Sequence, residues 1–255
     1  MICEVKGTKE IAQLFNGWQE TMITSCLQGM MGRLYADSKQ HPKSVMAMLG
    51  DFCFYAGAPN RELVAYKPNG CEREFMIMTA LLPEWFELIE SVYRERAKKV
   101  SRYAFKKEPD IFDRDKLSAL TAAIGADYRL KMIDRELFEC CGKQEWSRDL
   151  VAQYTDFEQY QRIGLGVVAL KDGQPVAGAS SYSSYRGGIE IEIDTKAEYR
   201  RQGLAAACGA KLILECKKRG LYPSWDAQNL WSVALAKKLG YRFDHEYTAY
   251  EISGY

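Results

Sequence analysis

Between residues 189 and 194 hydrophobic and acidic side chains alternate without a fault, as Ile189-Glu190-Ile191-Glu192-Ile193-Asp194. A period of two is that of a strand, so the isoleucines share one face and the three carboxylates the other. A row of acids on one side of a strand has to look at solvent, a cleft or a partner. Downstream the period changes. Leu204, Cys208, Leu212 and Ile213 fall on one side of a helix predicted over 203–219, which closes on Lys217, Lys218 and Arg219 with Gly220 just beyond. Cations in the last turn followed by glycine are the signature of a helix C-terminus. A short strand over 221–225 leads to a second helix from about 229 to 239, ended by Gly240, and 241–252 forms a last strand or hairpin.

Upstream of the alternating strand, 166–170 and 176–184 read as a hairpin about Asp172-Gly173, with Arg186-Gly187-Gly188 as the next tight turn. Residues 128–132 read as a strand and 147–163 as helical. The first half opens on a helix capped at Thr8 and running through Ile11, Leu14 and Phe15. Apolar runs at 22–27, 44–48 and 52–55 predict strands, the last two joined at Gly50-Asp51. A short helix starts at Asn60, a strand follows at 75–81, a helix begins at Pro83, and 99–106 is a further strand. Pro109 and a cluster of aspartates make 108–124, with a short helix from Asp115, a connector. That places a domain boundary near 125, with an N-terminal α/β domain over 1–125 and a second domain over 126–255.

Composition narrows the class. The chain has 255 residues, 47% hydrophobic and 27% charged, the profile of a folded protein of one large or two small domains. Thirty-five Lys and Arg against thirty-four Asp and Glu leave a formal charge of +1, so no bulk field draws it to nucleic acid or to an anionic membrane. The longest charge-free stretch, 173–185, is thirteen residues broken by Pro175, two Gly and four Ser, too short to span a bilayer. Glu4, Lys6, Lys9 and Glu10 stand where a secretory signal needs an apolar core, and the expectation is a cytoplasmic protein. Eight cysteines contain no C-x-x-C pair and His41 and His245 are the only imidazoles, so no metal site is expected. The thiols read as small core residues in a reducing compartment.

The alternating strand runs through Thr195 and a short linker into Arg200-Arg201-Gln202-Gly203-Leu204-Ala205 and the long helix. A glycine and small residues at a helix start let a ligand approach free backbone N–H groups, and the positive end of the helix dipole attracts phosphate. With two arginines beside it, the pattern suits a pyrophosphate held by main-chain amides and assisted by Arg200 or Arg201.

On these residues the chain resembles the GNAT acetyltransferase superfamily, whose acyl-CoA loop is matched by Arg200-x-x-Gly203-x-Ala205 after a strand and opening a helix. Asn229, Ser232 and Lys238-Leu239-Gly240-Tyr241 are similar to that superfamily's second coenzyme-contacting helix and closing strand. More narrowly, Gly50-Asp51-Phe52-Cys53-Phe54-Tyr55-Ala56-Gly57, with Trp225-Asp226 and Asn229, resembles the branch that includes zwittermicin A resistance acetyltransferases.

The resemblance implies a mixed α/β (α+β) fold with a mostly antiparallel central sheet flanked by helices, and an acetyl-CoA cofactor. It implies that strands 189–195 and 221–226 splay apart, that Gln202, Gly203, Leu204 and Ala205 offer amides to the pyrophosphate, and that main chain at Ile193, Asp194 and Thr195 pairs with the pantetheine arm. Asn229 and Ser232 would touch the cofactor from the next helix. The implied reaction is transfer of acetyl to a primary amine of a small molecule, an aminated antibiotic being one such acceptor. Glu192 is the first choice of base and Glu190 the second, with a backbone N–H near Ile193 or Asp194 as oxyanion donor.

One departure matters. The family's general-acid tyrosine is Ala236 here, and Tyr182, Tyr185, Tyr247 and Ser232 all remain as replacements. A non-catalytic CoA-binding or interaction module therefore stands as the alternative. Against each assignment stands a plainer reading: Glu190 and Glu192 as a solvated strand face, Arg200 and Arg201 as surface charge, Asn229 and Ser232 as a helix cap and its first-turn hydroxyl. Gly164-x-Gly166-x-x-Ala169 fits a dinucleotide fingerprint in letters only, because it precedes a strand instead of opening a helix. The element order of the first half echoes that of 176–252 without the Arg-x-x-Gly-x-Ala loop, which suggests a degenerate copy of the same fold. The oligomeric state stays open, a homodimer included.

Overall fold

A computed structural model describes residues 1–255. In chain order the elements are β1 (Cys3–Val5), α1 (Lys9–Leu14), α2 (Thr21–Gln28), β2 (Arg33–Ala36), β3 (Ser44–Leu49), β4 (Phe52–Gly57), α3 (Arg61–Val64), β5 (Phe75–Ala80), α4 (Pro83–Tyr93) and β6 (Ala97–Phe105). There follow α5 (Arg114–Ala122), β7 (Tyr128–Met132), α6 (Arg135–Lys143), α7 (Phe157–Ile163), β8 (Gly166–Lys171), β9 (Gln174–Tyr185) and β10 (Gly188–Thr195). The chain ends with α8 (Leu204–Lys218), β11 (Tyr222–Ser224), β12 (Asp226–Ala227), α9 (Leu230–Leu239) and β13 (Phe243–Ser253). This is the mixed α/β architecture expected, with sheets dominated by antiparallel pairs and flanked by helices.

Two compact units divide the chain, Met1–Arg102 with Glu246–Tyr255 and Tyr103–His245, so the polypeptide passes from one to the other inside β6 and inside β13. The boundary expected near 125 falls inside the second unit. Residues 103–125 belong there because α5, capped by Asp113, buries Leu117 against the same core as α8 and is not a loose connector.

In the first unit the strands lie in the order β1-β2-β3-β4-β5-β13-β6, with β4 and β5 parallel. Its core is aromatic: Trp85 stacks on Tyr55 at 5.1 Å and donates its indole N–H to the Gly57 carbonyl at 3.2 Å. The apolar run expected as a strand at 22–27 is instead α2, which ends on Gly29 in the left-handed region. Met22, Ile23, Cys26 and Leu27 recur at helical spacing with Thr21, Thr24, Ser25 and Gln28 on the opposite side, so the period of the run as well as its terminal glycine is that of a helix.

In the second unit the order is β11-β10-β9-β8-β7, antiparallel apart from the β10–β11 pair. Both units thus run five strands in chain order with the fourth and fifth parallel. Helix α8 covers one face of the second sheet, packing Leu204, Cys208, Leu212 and Ile213 against Val167, Ala169, Ala177, Ala179, Ile189 and Ile191. The other face carries a 3-10 turn over Glu145–Leu150, whose Leu150 Cδ1 would lie 2.5 Å from a Cβ at Gly178. The helix expected over 147–163 is therefore two pieces, that turn and α7, the second capped by Asp156.

Candidate functional site

The parallel pairing of β10 and β11 lasts for three residues, Gly188, Ile189 and Glu190 opposite Tyr222, Pro223 and Ser224. Beyond Ser224 the chain turns away, and β12 pairs with Tyr103 and Ala104 of β6. The two strands therefore fork, leaving the edge of β10 without a neighbouring strand past Glu190. A bulge sits at the fork: one step along β10, from Glu190 to Ile191, matches two along β9, from Ser183 to Ser181, with Tyr182 as the extra residue.

An unpaired strand edge exposes polar main chain. Here side chains cover it. Ile193 N–H donates to the Glu192 Oε1 at 3.1 Å, and the Thr195 carbonyl accepts from Arg200 Nε at 3.2 Å. The opposite edge is tied to β9, as in the bond from Lys196 N–H to the Val176 carbonyl. The fork thus offers the main chain of Ile193 and Thr195 to whatever displaces these two side chains.

The strand then empties into the mouth of α8. Arg201 has φ 61° and Gly203 φ 83°, so two left-handed residues within three turn the loop. Gly203 caps α8 with no side-chain bond to the first turn, and a Cβ built on it meets nothing within 4 Å. Leu204 buries its side chain in the core and contributes its N–H, while Ala205 keeps the first turn small. Gln202 is held from both sides, accepting from Tyr128 Oη at 2.6 Å and donating to the Glu198 carbonyl at 3.4 Å. Cations gather beside the mouth: Arg201 is exposed, and Lys171 lies over the rings of Tyr128 and Tyr199. A diphosphate fits this chemistry, meeting unpaired N–H groups, an open glycine and positive charge.

The acidic face does not behave as one surface. Glu190 is buried, whereas Glu192 and Asp194 are half-buried. Burial, then the neighbouring Asp149 carboxylate, pushes Asp194 up to about 6, with Arg200 pulling the other way. Asp149 comes from the 3-10 turn over the sheet, and nothing in its local sequence marks it as a partner of the strand. Because the folded pKa lies above the unfolded value, the native chain holds this proton more tightly between about pH 4 and 6, and stability falls as pH rises through that window. Asp194→Asn is therefore expected to melt at a higher temperature than the wild type at pH 7.5, with the gap closing as pH falls towards 4. Circular dichroism melts across that range measure it, and a constant gap would mean the carboxyl is not strained by its surroundings.

Asn229 caps α9, its Oδ1 accepting from Ser232 N–H at 2.9 Å, and Ser232 Oγ accepts from the Trp225 indole at 3.1 Å. Ala236, at the position where the resemblance implies a general acid, is fully buried in the core. The four replacement hydroxyls are dispersed. Tyr182 is the bulge residue, Ser232 is bonded to Trp225, Tyr247 belongs to the first unit, and Tyr185 Oη lies 3.4 Å from Ser224 Oγ at the fork.

Comparison with known proteins bears on this geometry. The sequence profile of the GNAT acetyltransferases matches residues 12–250. A GCN5-related N-acetyltransferase-like protein from Streptococcus suis, known as a crystal structure, is 48% identical with a TM-score of 0.90, over 95% of this chain and 96% of that one. An uncharacterised N-acetyltransferase of Bacillus subtilis is 26% identical over 241 residues, 90% of this chain and 89% of that protein. A GCN5-related N-acetyltransferase from Kribbella flavida shares the fold at 17% identity and a TM-score of 0.59, over 93% and 96% of the two chains. The profile runs through both compact units, and this chain belongs to the GNAT acetyltransferase family.

Proposed function

We propose that the chain moves acetyl from acetyl-CoA to a primary amine of a small molecule by direct transfer, with Glu192 as the base. The observation that carries this reading is the covered strand edge: the Glu192 carboxylate rests on the Ile193 N–H, beside the fork and upstream of the open Gly203. The thioester supplies an acetyl group already activated for attack. The residues supply the rest. Amides from Gln202 to Ala205, with Arg200 and Arg201, hold the diphosphate; Ile193, Asp194 and Thr195 pair with the pantetheine arm; Asn229 and Ser232 border it. Displaced from the Ile193 N–H, the Glu192 carboxylate would take a proton from the acceptor, and that N–H would become a donor for a developing oxyanion. Glu190, more deeply buried, is the second choice.

An acceptor amine of ordinary basicity suits a half-buried acidic strand face. An aminated antibiotic is one such acceptor, in keeping with the resemblance to zwittermicin A resistance acetyltransferases. All eight cysteines are free thiols, which supports a cytoplasmic setting.

The first unit we read as a degenerate copy of the same fold that binds no coenzyme. Its helix after β4 is α3, four residues long and capped by the Asn60 side chain, and Trp85 occupies the carbonyl at the end of β4. Calorimetric titration with acetyl-CoA is expected to give one site per chain. Two sites would end the degenerate-copy reading, and none would end the coenzyme reading. Release of free thiol with at least one member of an amine panel is the expected second result, and tight binding with no release from any amine would favour the non-catalytic alternative.

A further inference from the structure

We propose that Trp231 is the platform on which the adenine ring of coenzyme A stacks, an inference that rests on the coenzyme reading above. Trp231 is 79% exposed and Leu230 67% exposed, whereas Val233, Ala236 and Leu239 of the same helix are buried. The turn that carries the indole is nonetheless tied down by hydrogen bonds. Asn229 caps it and the bond from Trp225 to Ser232 Oγ ties it to the end of β11. A large aromatic face held in place but left uncovered has something to meet.

Its position points to the coenzyme. Because β10 and β11 are parallel, the chain leaves both strands in the same direction, and α8 and α9 are the α-helices that next follow them. The two helices touch where a Cβ on Gly209 would lie 2.9 Å from Leu239 Cδ1. Counting back at about 1.5 Å per residue, Gly203 lies about 9 Å before that contact on α8 and Trp231 about 12 Å before it on α9. Gly203 and Trp231 therefore precede the shared contact by similar lengths of their two helices. A diphosphate on the amides at Gly203 would leave its adenosine outside that mouth, where the helix packed against α8 offers an exposed aromatic face. A purine and an indole present matching flat π faces, and stacking there needs no hydrogen-bond donor from a side chain.

The test uses the full-length chain. Truncation of a base-stacking aromatic weakens binding by about 5- to 150-fold, and Trp231→Ala is expected to lose affinity for coenzyme A within that range. Affinity for 4′-phosphopantetheine, which lacks the adenosine, should stay within about twofold. Trp231→Phe should keep most of the wild-type affinity, and quenching of indole emission by coenzyme A should be markedly smaller in that variant than in the wild type. Unchanged affinity in the alanine variant, equal losses for both ligands, or equal quenching in the wild type and the phenylalanine variant each overturn the proposal. A change in oligomeric state with unchanged affinity overturns it too, assigning the exposed pair to a second copy of this chain. Should the wild type bind no coenzyme A, it is the functional reading that fails; binding by the wild type and equally by Trp231→Ala removes Trp231 alone.

Discussion

Replacing Gly203 by valine is expected to weaken acetyl-CoA binding about 100-fold while moving the melting temperature by only a few degrees. The expectation follows from what surrounds the residue. A Cβ at Gly203 meets no protein atom, so the added side chain projects into the space at the mouth of α8 without disturbing the core. What it obstructs is the approach of a charged group to main-chain N–H donors, and each hydrogen bond to a charged partner contributes about 1.5–3 kcal/mol. Losing one or two of them accounts for the factor. The backbone at φ 83° also strains any β-branched residue, a cost unrelated to ligand, and Gly220 separates the two effects. It follows the far end of the same helix at φ 66° with equally open surroundings, so Gly220→Val carries comparable strain away from the mouth. Calorimetry on both variants decides: a large loss confined to Gly203→Val supports the site, and similar affinities in both remove the helix mouth from coenzyme binding.

The helix mouth was legible in the sequence because its signals are local. The alternation over 189–194 marks a strand, Gly203 and the small residues after it mark a helix start open to ligand, and Gly220 marks the other end. What the fork does to that strand was not legible. The Glu192 carboxylate on its own neighbour's N–H and Arg200 folded onto Thr195 depend on β11 leaving after Ser224, a tertiary event with no trace in the alternation itself. Asp149 was missed for the same reason, since its effect on Asp194 comes from a turn laid across the sheet from 45 residues away in the chain. Trp231 stood in plain view in the sequence, but an exposed tryptophan and a buried one look alike there, and only the packing of Val233, Ala236 and Leu239 tells which face α9 buries. The boundary went astray because Pro109 and the aspartates around it signal a loop correctly, yet the helix beyond them, α5, returns to the core of α8.

Exchange of Glu192 for glutamine is expected to lower turnover of an amine acceptor by about 10²- to 10⁴-fold near neutral pH with acetyl-CoA affinity unchanged within about threefold. Glutamine keeps the size of the side chain and an oxygen that accepts from the Ile193 N–H, so the geometry of the strand edge survives. It cannot carry a proton. An alkylammonium with a pKa of about 10.4 needs about 4–5 kcal/mol to shed its proton at neutral pH unless a base assists, and that is the work proposed for the carboxylate. In the glutamine variant only acceptor already present as free amine reacts, so its rate should climb about tenfold per pH unit towards pH 10 and the deficit against wild type should shrink accordingly. Loss of a general acid has a smaller effect by the same reckoning, since a thiol of pKa about 8.5 departs readily as thiolate, and a buried Ala236 in the family's acid position is compatible with turnover. Besides Glu190, a base could be sought at Asp194, on the same strand with its carboxyl pushed up to about 6, close to where a base for neutral-pH chemistry works best. The two carboxylates give opposite patterns. A severe loss in Glu192→Gln with a mild one in Asp194→Asn places proton removal beside the Ile193 N–H, whereas the reverse moves it two residues along the strand, towards Asp149.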